Sequence, residues 1–376
     1  MRLLMVSDYF HPFLLGGGER RMYELAKRLA RRHEVHVVTR RLGSTPTYER
    51  HEGVHIHRVF TPSRRPALES FVDGFFFMLA AFIKVLQLGN FDLYAPQQFF
   101  PLPLAWVASR VKGGPIEVTI HDVYGSRWVE NYGLKSCPMI LFERISLRLP
   151  YSKIITISEA SKGKLVASKV PERKIEIIPN GVDLAAFDDI KVEKSRKPSI
   201  IYVGRLIGYK HVDDLFRAIS RIGLEVKLFV VGEGPERRRL ERLAKELGLW
   251  KKVTFTGFVD EYQKIKMLKS AHVLVLPSTV EGFAMVLIEA MAARTPVVAA
   301  DIPAVHTSIR DGKTGLLFRP RDVGDLKEKL DMVLRNKDLR EKLSRNGYNL
   351  VKREFTWDKI CLKIEQGFKA HEQVEA

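Results

Sequence analysis

With 376 residues, 45% of them hydrophobic, the chain exceeds what one hydrophobic core normally serves and has the apolar content of a soluble globular protein, so two domains of ordinary size are expected. Its formal net charge of +18 is no basic tail: 26 basic against 17 acidic residues up to Asp183, and 36 against 27 beyond it, give +9 to each part. Such charge suits nucleic acid, an anionic membrane face or a phosphorylated substrate, while the two distant cysteines, Cys137 and Cys361, without histidines at metal spacing, exclude a disulfide framework and a zinc site.

The start, Met1-Arg-Leu-Leu-Met-Val-Ser7 before Asp8, is too short and too soon charged for a signal peptide or a membrane span and reads as a first buried strand, while the two lone cysteines suit a cytoplasmic protein with reduced thiols. Gly16, Gly17 and Gly18 follow it. Glycines there let backbone N–H groups approach a phosphate, or serve only as a flexible turn, and the series is not G-x-G-x-x-G. A basic amphipathic helix runs from Glu19 to Arg32, with Arg20, Arg21, Lys27, Arg28, Arg31 and Arg32 opposite Met22, Leu25, Ala26 and Leu29. That is the pattern of a solvated face, and also of a grip on an anionic bilayer. Strands are expected near 34–39 and 54–60. Between them and the strand near 92–95, the segment Phe71 to Leu88 is apolar almost all round but broken by Asp73, Gly74 and Lys84, so burial in the first domain is expected over membrane docking. His121 ends the strand near 116–121, where a doubly wound sheet presents reactive residues; a structural histidine is the plainer reading, and Asp122 stands next to it to fix its tautomer. Strands near 153–157 and 175–178 close this half.

After a charged stretch from Asp188 to Lys197 the alternation restarts at Ser199-Ile-Ile-Tyr-Val203, with strands near 226–231, 252–256, 272–276 and 296–299 and then Gly315-Leu-Leu-Phe318. Arg205 and Lys210 lie on the loop after the first of these strands, placed to clamp a diphosphate, one as a fork and the other as a point charge. Gly232 and Gly234, after the second, serve a turn or a ligand; Phe258 and Val259, after the third, offer an aromatic edge and backbone groups to a nucleobase. The fourth strand leads into Pro277-Ser-Thr-Val-Glu281-Gly282-Phe283-Ala284-Met285-Val286, with Glu289 eight residues after Glu281. A helix opening at about Gly282 or Phe283 presents unpaired N–H groups to phosphate, and carboxylates beside such a site call for sugar hydroxyls as partners. The tail from Asp322 is helical, and its last segment opens on Thr356 as a cap. Strand and helix alternate throughout, so the expected class is α/β, two Rossmann-like domains facing across a cleft, with a C-terminal helix crossing back to the first.

In order and spacing, Gly16-Gly-Gly18, His121, Pro179-Asn-Gly-Val-Asp183, Gly204-Arg205 with Lys210, Val231-Gly-Glu-Gly-Pro235, Pro277-Ser278, Glu281-Gly-Phe with Glu289 and Asp311-Gly-Lys-Thr-Gly-Leu-Leu-Phe318 resemble family 4 of the retaining glycosyltransferases, which share the GT-B fold. The resemblance covers nearly the whole chain. It implies an acceptor-side domain over 1–183, a nucleotide-sugar-binding domain over 184–355 and a returning helix over 356–376. It further implies that Glu281 contacts sugar hydroxyls and Glu289 the ribose, in a glutamate-x7-glutamate pair. Arg205 and Lys210 would neutralise the departing diphosphate, joined by backbone amides of Phe283 to Val286, and His121 would lie near the sugar ring. Such enzymes look independent of metal and need no cofactor beyond the nucleotide sugar as co-substrate, and retention is thought to follow front-face attack. Two positions depart from the pattern: Ala284 and His211 stand where many members carry glycine.

The expectation is therefore transfer of a hexose from a nucleotide sugar to a lipid-linked or saccharide acceptor, at the cytoplasmic side and compatible with peripheral contact to an anionic membrane. A non-hydrolysing nucleotide-sugar epimerase is the nearest alternative. A basic nucleic-acid-binding protein is the third; the even spread of charge and the lack of a nucleic-acid motif stand against it.

Overall fold

Runs such as Val273-Leu-Val-Leu276 have no polar face, which suits parallel strands covered by helices on both sides. The computed structural model describes residues 1–14, 16–62 and 71–372. It divides into two compact units, one of Met1–Pro179 together with the segment from Ile360 onward, the other Asn180–Lys359. Among the described residues no helix is long and apolar enough to cross a membrane.

In the first unit the strands are β1 (Arg2–Val6), β2 (Glu34–Arg40), β3 (Tyr48–His51), β4 (Val54–Val59), β5 (Leu93–Pro96), β6 (Glu117–Ile120), β7 (Lys153–Thr156) and β8 (Ile175–Ile177). They pair in the orders β3-β4-β2-β1-β5 and β6-β7-β8, and single parallel bridges from Tyr94 to Ile116 and Gln97 to Thr119 set β6 beside β5. Only β3 runs antiparallel, as the partner of β4. The helices are α1 (Gly17–Leu29), α2 (Phe71–Gln87), α3 (Leu102–Lys112), α4 (Arg127–Tyr132), α5 (Cys137–Arg148) and α6 (Glu159–Ala167). β1 lies between β2 and β5, so the strand order reverses there and the loops after β1 and β5 splay apart at the carboxyl edge.

Two readings of this half need correction. The basic side of α1 is only in part a solvated face: Arg31 and Arg32 are exposed, but Arg21 and Arg28 are buried, Arg21 donating to the Pro179 carbonyl at 2.6 Å and Arg28 paired with Glu24. Nor is α2 simply buried. Phe77, Ala81 and Val85 enter the core, while Phe75, Phe76, Leu79 and Ile83 face solvent.

The second unit contains β9 (Ser199–Val203), β10 (Lys227–Val231), β11 (Val253–Gly257), β12 (Val273–Leu276), β13 (Val297–Ala300) and β14 (Leu316–Phe318), all parallel in the order β11-β10-β9-β12-β13-β14. Relabelled from one, that is 3-2-1-4-5-6, the doubly wound order whose switch point lies between its first and fourth strands. Its helices are α7 (Leu184–Asp189), α8 (Val212–Ser220), α9 (Arg237–Glu246), α10 (Glu261–Ser270), α11 (Met285–Ala292), α12 (Val323–Arg335) and α13 (Lys337–Glu354). A last helix, α14 (Trp357–Glu372), opens with Thr356 Oγ1 accepting from the Lys359 N–H at 3.4 Å. From Ile360 onward it belongs to the first unit, where Ile364 and Phe368 are buried and Glu365 accepts from Arg32 at 3.1 Å and meets His33 at 3.2 Å. Residues 373–376 of the expected final helix lie outside the described residues.

Candidate functional site

At the switch point of the second unit, the loop after β9 and the loop after β12 are fastened to each other. Thr279 donates its N–H to the Tyr209 carbonyl at 3.0 Å, and His211 Nε2 meets Thr279 Oγ1 at 3.0 Å. Across this seam Lys210 Nζ lies 2.5 Å from Glu281 Oε1, in a pair whose side chains are only 14% and 11% exposed. Arg205 stands exposed on the same loop, its Nη2 donating to the Tyr209 hydroxyl at 3.3 Å. The structure thus pairs Lys210 with Glu281 across the seam and sets Arg205 on the Lys210 loop, against Tyr209.

The base of the loop explains the glycines after β10. A Cβ on Gly232, at φ +131, would sit 2.0 Å from the Gly204 carbonyl oxygen, and one on Gly234 would sit 2.2 Å from that of Leu206. Their neighbours complete a backbone seam, Leu206 donating to Glu233 at 2.8 Å and Glu236 to Leu206 at 3.0 Å. Gly232 also donates to Gly257 at 2.9 Å, which draws the end of β11 alongside; there Phe258 is 86% exposed and Val259 half-buried.

Helix α11 opens later than the residue types suggested, at Met285, because Gly282 and Phe283 belong to the approach and Ala284 turns the chain in a left-handed conformation at φ 36, ψ 61. Phe283 is buried with its ring 6.2 Å from Phe355, which anchors that approach. The N–H groups of Met285 and Val286 fall within the first turn, where no intrahelical acceptor exists. Ala284 shares its backbone region with His211 (φ 47) and Arg321 (φ 66). Side-chain residues occupy it only at a cost, and such cost gathers at functional sites. Since Ala284 is the position least compensated by side-chain bonds, Ala284→Gly should stabilise the fold by about 1 kcal/mol, the left-handed penalty less the added chain entropy. A melting curve displaced downward instead would contradict this.

Two sets of partners had no signal in the local sequence. Glu289 is buried and accepts from Lys264 Nζ at 2.9 Å, so the carboxylate expected at a ribose already holds a lysine from α10. Behind Lys210, His211 contacts Arg321, which pairs with Asp214 at 2.8 Å, while Asp213 takes Arg217 at 2.8 Å. Burial first, then the Arg321 charge, holds the His211 imidazole below its ordinary range. Ser278, fully buried, carries a hydroxyl without a hydrogen-bond partner among the described residues.

The first unit has a second cluster. Gly16 precedes α1, Gly17 begins it, and a Cβ on Gly18 would stand 3.0 Å from the Gln97 amide nitrogen and 3.4 Å from His121 Nε2. His121 is 8% exposed, and its Nε2 is without a partner among the described residues. Burial, reinforced by the Arg21 guanidinium, holds its pKa at about 3, so it is neutral at any ordinary pH. Asp122 does not orient it: that carboxylate accepts from Lys164 at 2.6 Å, Arg127 at 2.8 Å and the Val123 N–H at 2.9 Å. The short side chain next in sequence points to cations instead. Burial also lowers His57 to about 4. Both histidines charge in the unfolded chain near 6.5 but not in the folded one, so stability should fall as pH drops below about 6.5, read as a declining melting temperature. A flat profile between pH 7 and 5 would contradict it.

Residues 185–350 match the family described as Glycosyl transferases group 1, and residues 15–186 match Glycosyltransferase Family 4. The chain is 30% identical to an uncharacterised glycosyltransferase of Methanocaldococcus jannaschii, over 98% of each. Sucrose-phosphate synthase from Thermosynechococcus elongatus has the same fold, with a TM-score of 0.82 at 21% identity over 99% of both chains. So has Anabaena HepE, solved in complex with UDP-glucose, with a TM-score of 0.76 at 19% identity over 98% of this chain and 100% of that one.

Proposed function

Because the chain belongs to the family 4 glycosyltransferases, with the GT-B fold, we propose that it moves a hexose from a nucleoside-diphosphate sugar to a saccharide or lipid-linked acceptor, with retention and without a metal ion. The observation that carries this reading is the Lys210–Glu281 pair at the switch point, with Arg205 on the same loop as Lys210 and α11 beginning four residues after Glu281. In the transfer, the bond from the anomeric carbon to the diphosphate oxygen breaks and charge gathers on the leaving diphosphate. Arg205, Lys210 and the first-turn amides of α11 stabilise that charge without reorganising. Lys210 exchanges Glu281 for a phosphate oxygen, which frees the carboxylate for sugar hydroxyls. The acceptor oxygen bonds to the same face of the sugar and its proton passes to the departing diphosphate oxygen. Phe258 and Val259 receive the base, Glu289 shares the ribose with Lys264, and neutral His121, with Gly16 to Gly18, offers hydrogen bonds to sugar or phosphate groups. The setting proposed is the cytoplasm, at the inner membrane face when the acceptor is lipid-linked.

HepE was solved with UDP-glucose, which makes uridine nucleotides the first probes among UDP, GDP, ADP and TDP and their sugars. Melting temperature should rise with one nucleotide family, equally with and without magnesium. The anomeric configuration of the product, read by NMR, should match that of the donor. An epimerised nucleotide sugar formed without acceptor, or no shift with any nucleotide, would overturn the proposal.

A further inference from the structure

The solvent-facing stripe of α2 consists of Phe75, Phe76, Leu79 and Ile83, at 54%, 46%, 42% and 53% exposure. Their spacing makes one helix face, opposite the buried Phe77, Ala81 and Val85. Helix α5 does the same with Leu141 and Ile145, and Leu134 stands out just before it. Phe100 joins the two helices: a Cβ on Gly74 would fall 2.5 Å from its ring, and the ring centroid is 5.9 Å from that of Phe142, next to Leu141. Four large apolar side chains exposed on α2 and three at α5, two helices linked through Phe100, are more than isolated surface exposure.

Among the described residues of α2, α5 and the turn before α5, the exposed charges have one sign. Lys135, Arg144 and Arg148 are exposed, and Lys84 is half-buried. Asp73 and Glu143, which are the carboxylates of these two helices, are both buried, Glu143 accepting from Trp128 Nε1 at 2.6 Å and from the N–H groups of Tyr124 and Gly125. Apolar side chains of acyl-seeking type beside cations, with no exposed acid among the described residues of α2 and α5, match the headgroup and upper acyl layers of an anionic bilayer. Nucleic acid would use the cations but not the aliphatic Leu79, Ile83, Leu134, Leu141 and Ile145, which make up most of the apolar side chains. We infer that α2 and α5 form a docking surface for an anionic lipid bilayer, and that α1, whose Arg21 and Arg28 are buried, does not. The inference rests on the transferase reading only for its purpose, bringing the chain to a lipid-linked acceptor.

The test is co-sedimentation of the whole chain with vesicles of phosphatidylcholine alone and of equal parts phosphatidylcholine and phosphatidylglycerol. Wild-type protein should sediment with the anionic vesicles. A Leu79→Ser, Ile83→Ser variant should bind them about tenfold more weakly or worse, and Arg144→Ala with Arg148→Ala should lose the preference for anionic lipid. Each substituted side chain is solvent-facing, and an unchanged melting-temperature shift with nucleotide verifies that the variants fold. Binding indifferent to both variants, no binding by wild type, or a dimer that the serine variant converts to monomer overturns the docking surface. A nucleotide shift without vesicle binding sinks this inference alone; vesicle binding without any nucleotide shift sinks the transferase reading alone.

Discussion

Glu281→Gln should lower turnover about 10²- to 10³-fold, the loss seen when a group poised for the transition state is removed, while nucleoside diphosphate binding persists. Glutamine keeps the shape and one acceptor oxygen but not the charge that holds Lys210 at 2.5 Å. With the pair only 14% and 11% exposed, the empty variant leaves an ammonium largely buried without its counter-charge. Breaking such a pair from one side costs about 3 kcal/mol, so the melting temperature of the empty variant should fall. A diphosphate restores a counter-charge to Lys210. The nucleotide-induced shift should therefore be larger in Glu281→Gln than in wild type, an outcome a residue with a structural role alone does not produce. Steady-state turnover at the wild-type rate, or a smaller shift, would remove Glu281 and Lys210 from the donor site.

That coupling was only partly legible in the residues. Arg205 and Lys210 after one apolar run, and Glu281 after another, were readable because parallel strands are covered on both faces and so stand out as unbroken apolar segments. Their convergence follows once β9 and β12 are neighbours. The strand Tyr48-Glu-Arg-His51 escaped notice because it lies at the sheet edge, half in solvent, and carries no apolar alternation. The start of α11 was misplaced because Ala284 adopts the left-handed turn that glycine normally signals. The basic residues of α1 suggested solvent because periodicity records side-chain type, not the acceptor that a carbonyl at Pro179 supplies to Arg21 from far along the chain. Lys264 for Glu289 and Arg321 for His211 are partners of the same kind, set by tertiary structure alone.

Gly232→Ala should be the most disruptive single methyl group in the second unit, destabilising it by about 4 kcal/mol or preventing its folding. Two independent costs add. At φ +131 a residue with a Cβ is outside its allowed regions, and the Cβ would lie 2.0 Å from the Gly204 carbonyl oxygen, a backbone atom that no side-chain rotation can move. Gly234→Ala meets the Leu206 carbonyl at 2.2 Å and should behave similarly, whereas Gly208→Ala, with open space around its Cβ, should change stability by no more than about 1 kcal/mol. Thermal denaturation of the three variants separates backbone clash from a general intolerance of this loop; equal melting temperatures would contradict the packing. The catalytic consequence comes through the same contact. Gly204 and Leu206 flank Arg205, so a loop pushed off Gly232 carries the guanidinium away from Lys210 and Glu281. A Gly232→Ala protein that still folds should therefore lose transfer more than it loses nucleotide binding through Phe258 and Val259, which lie on the other side of the displaced seam.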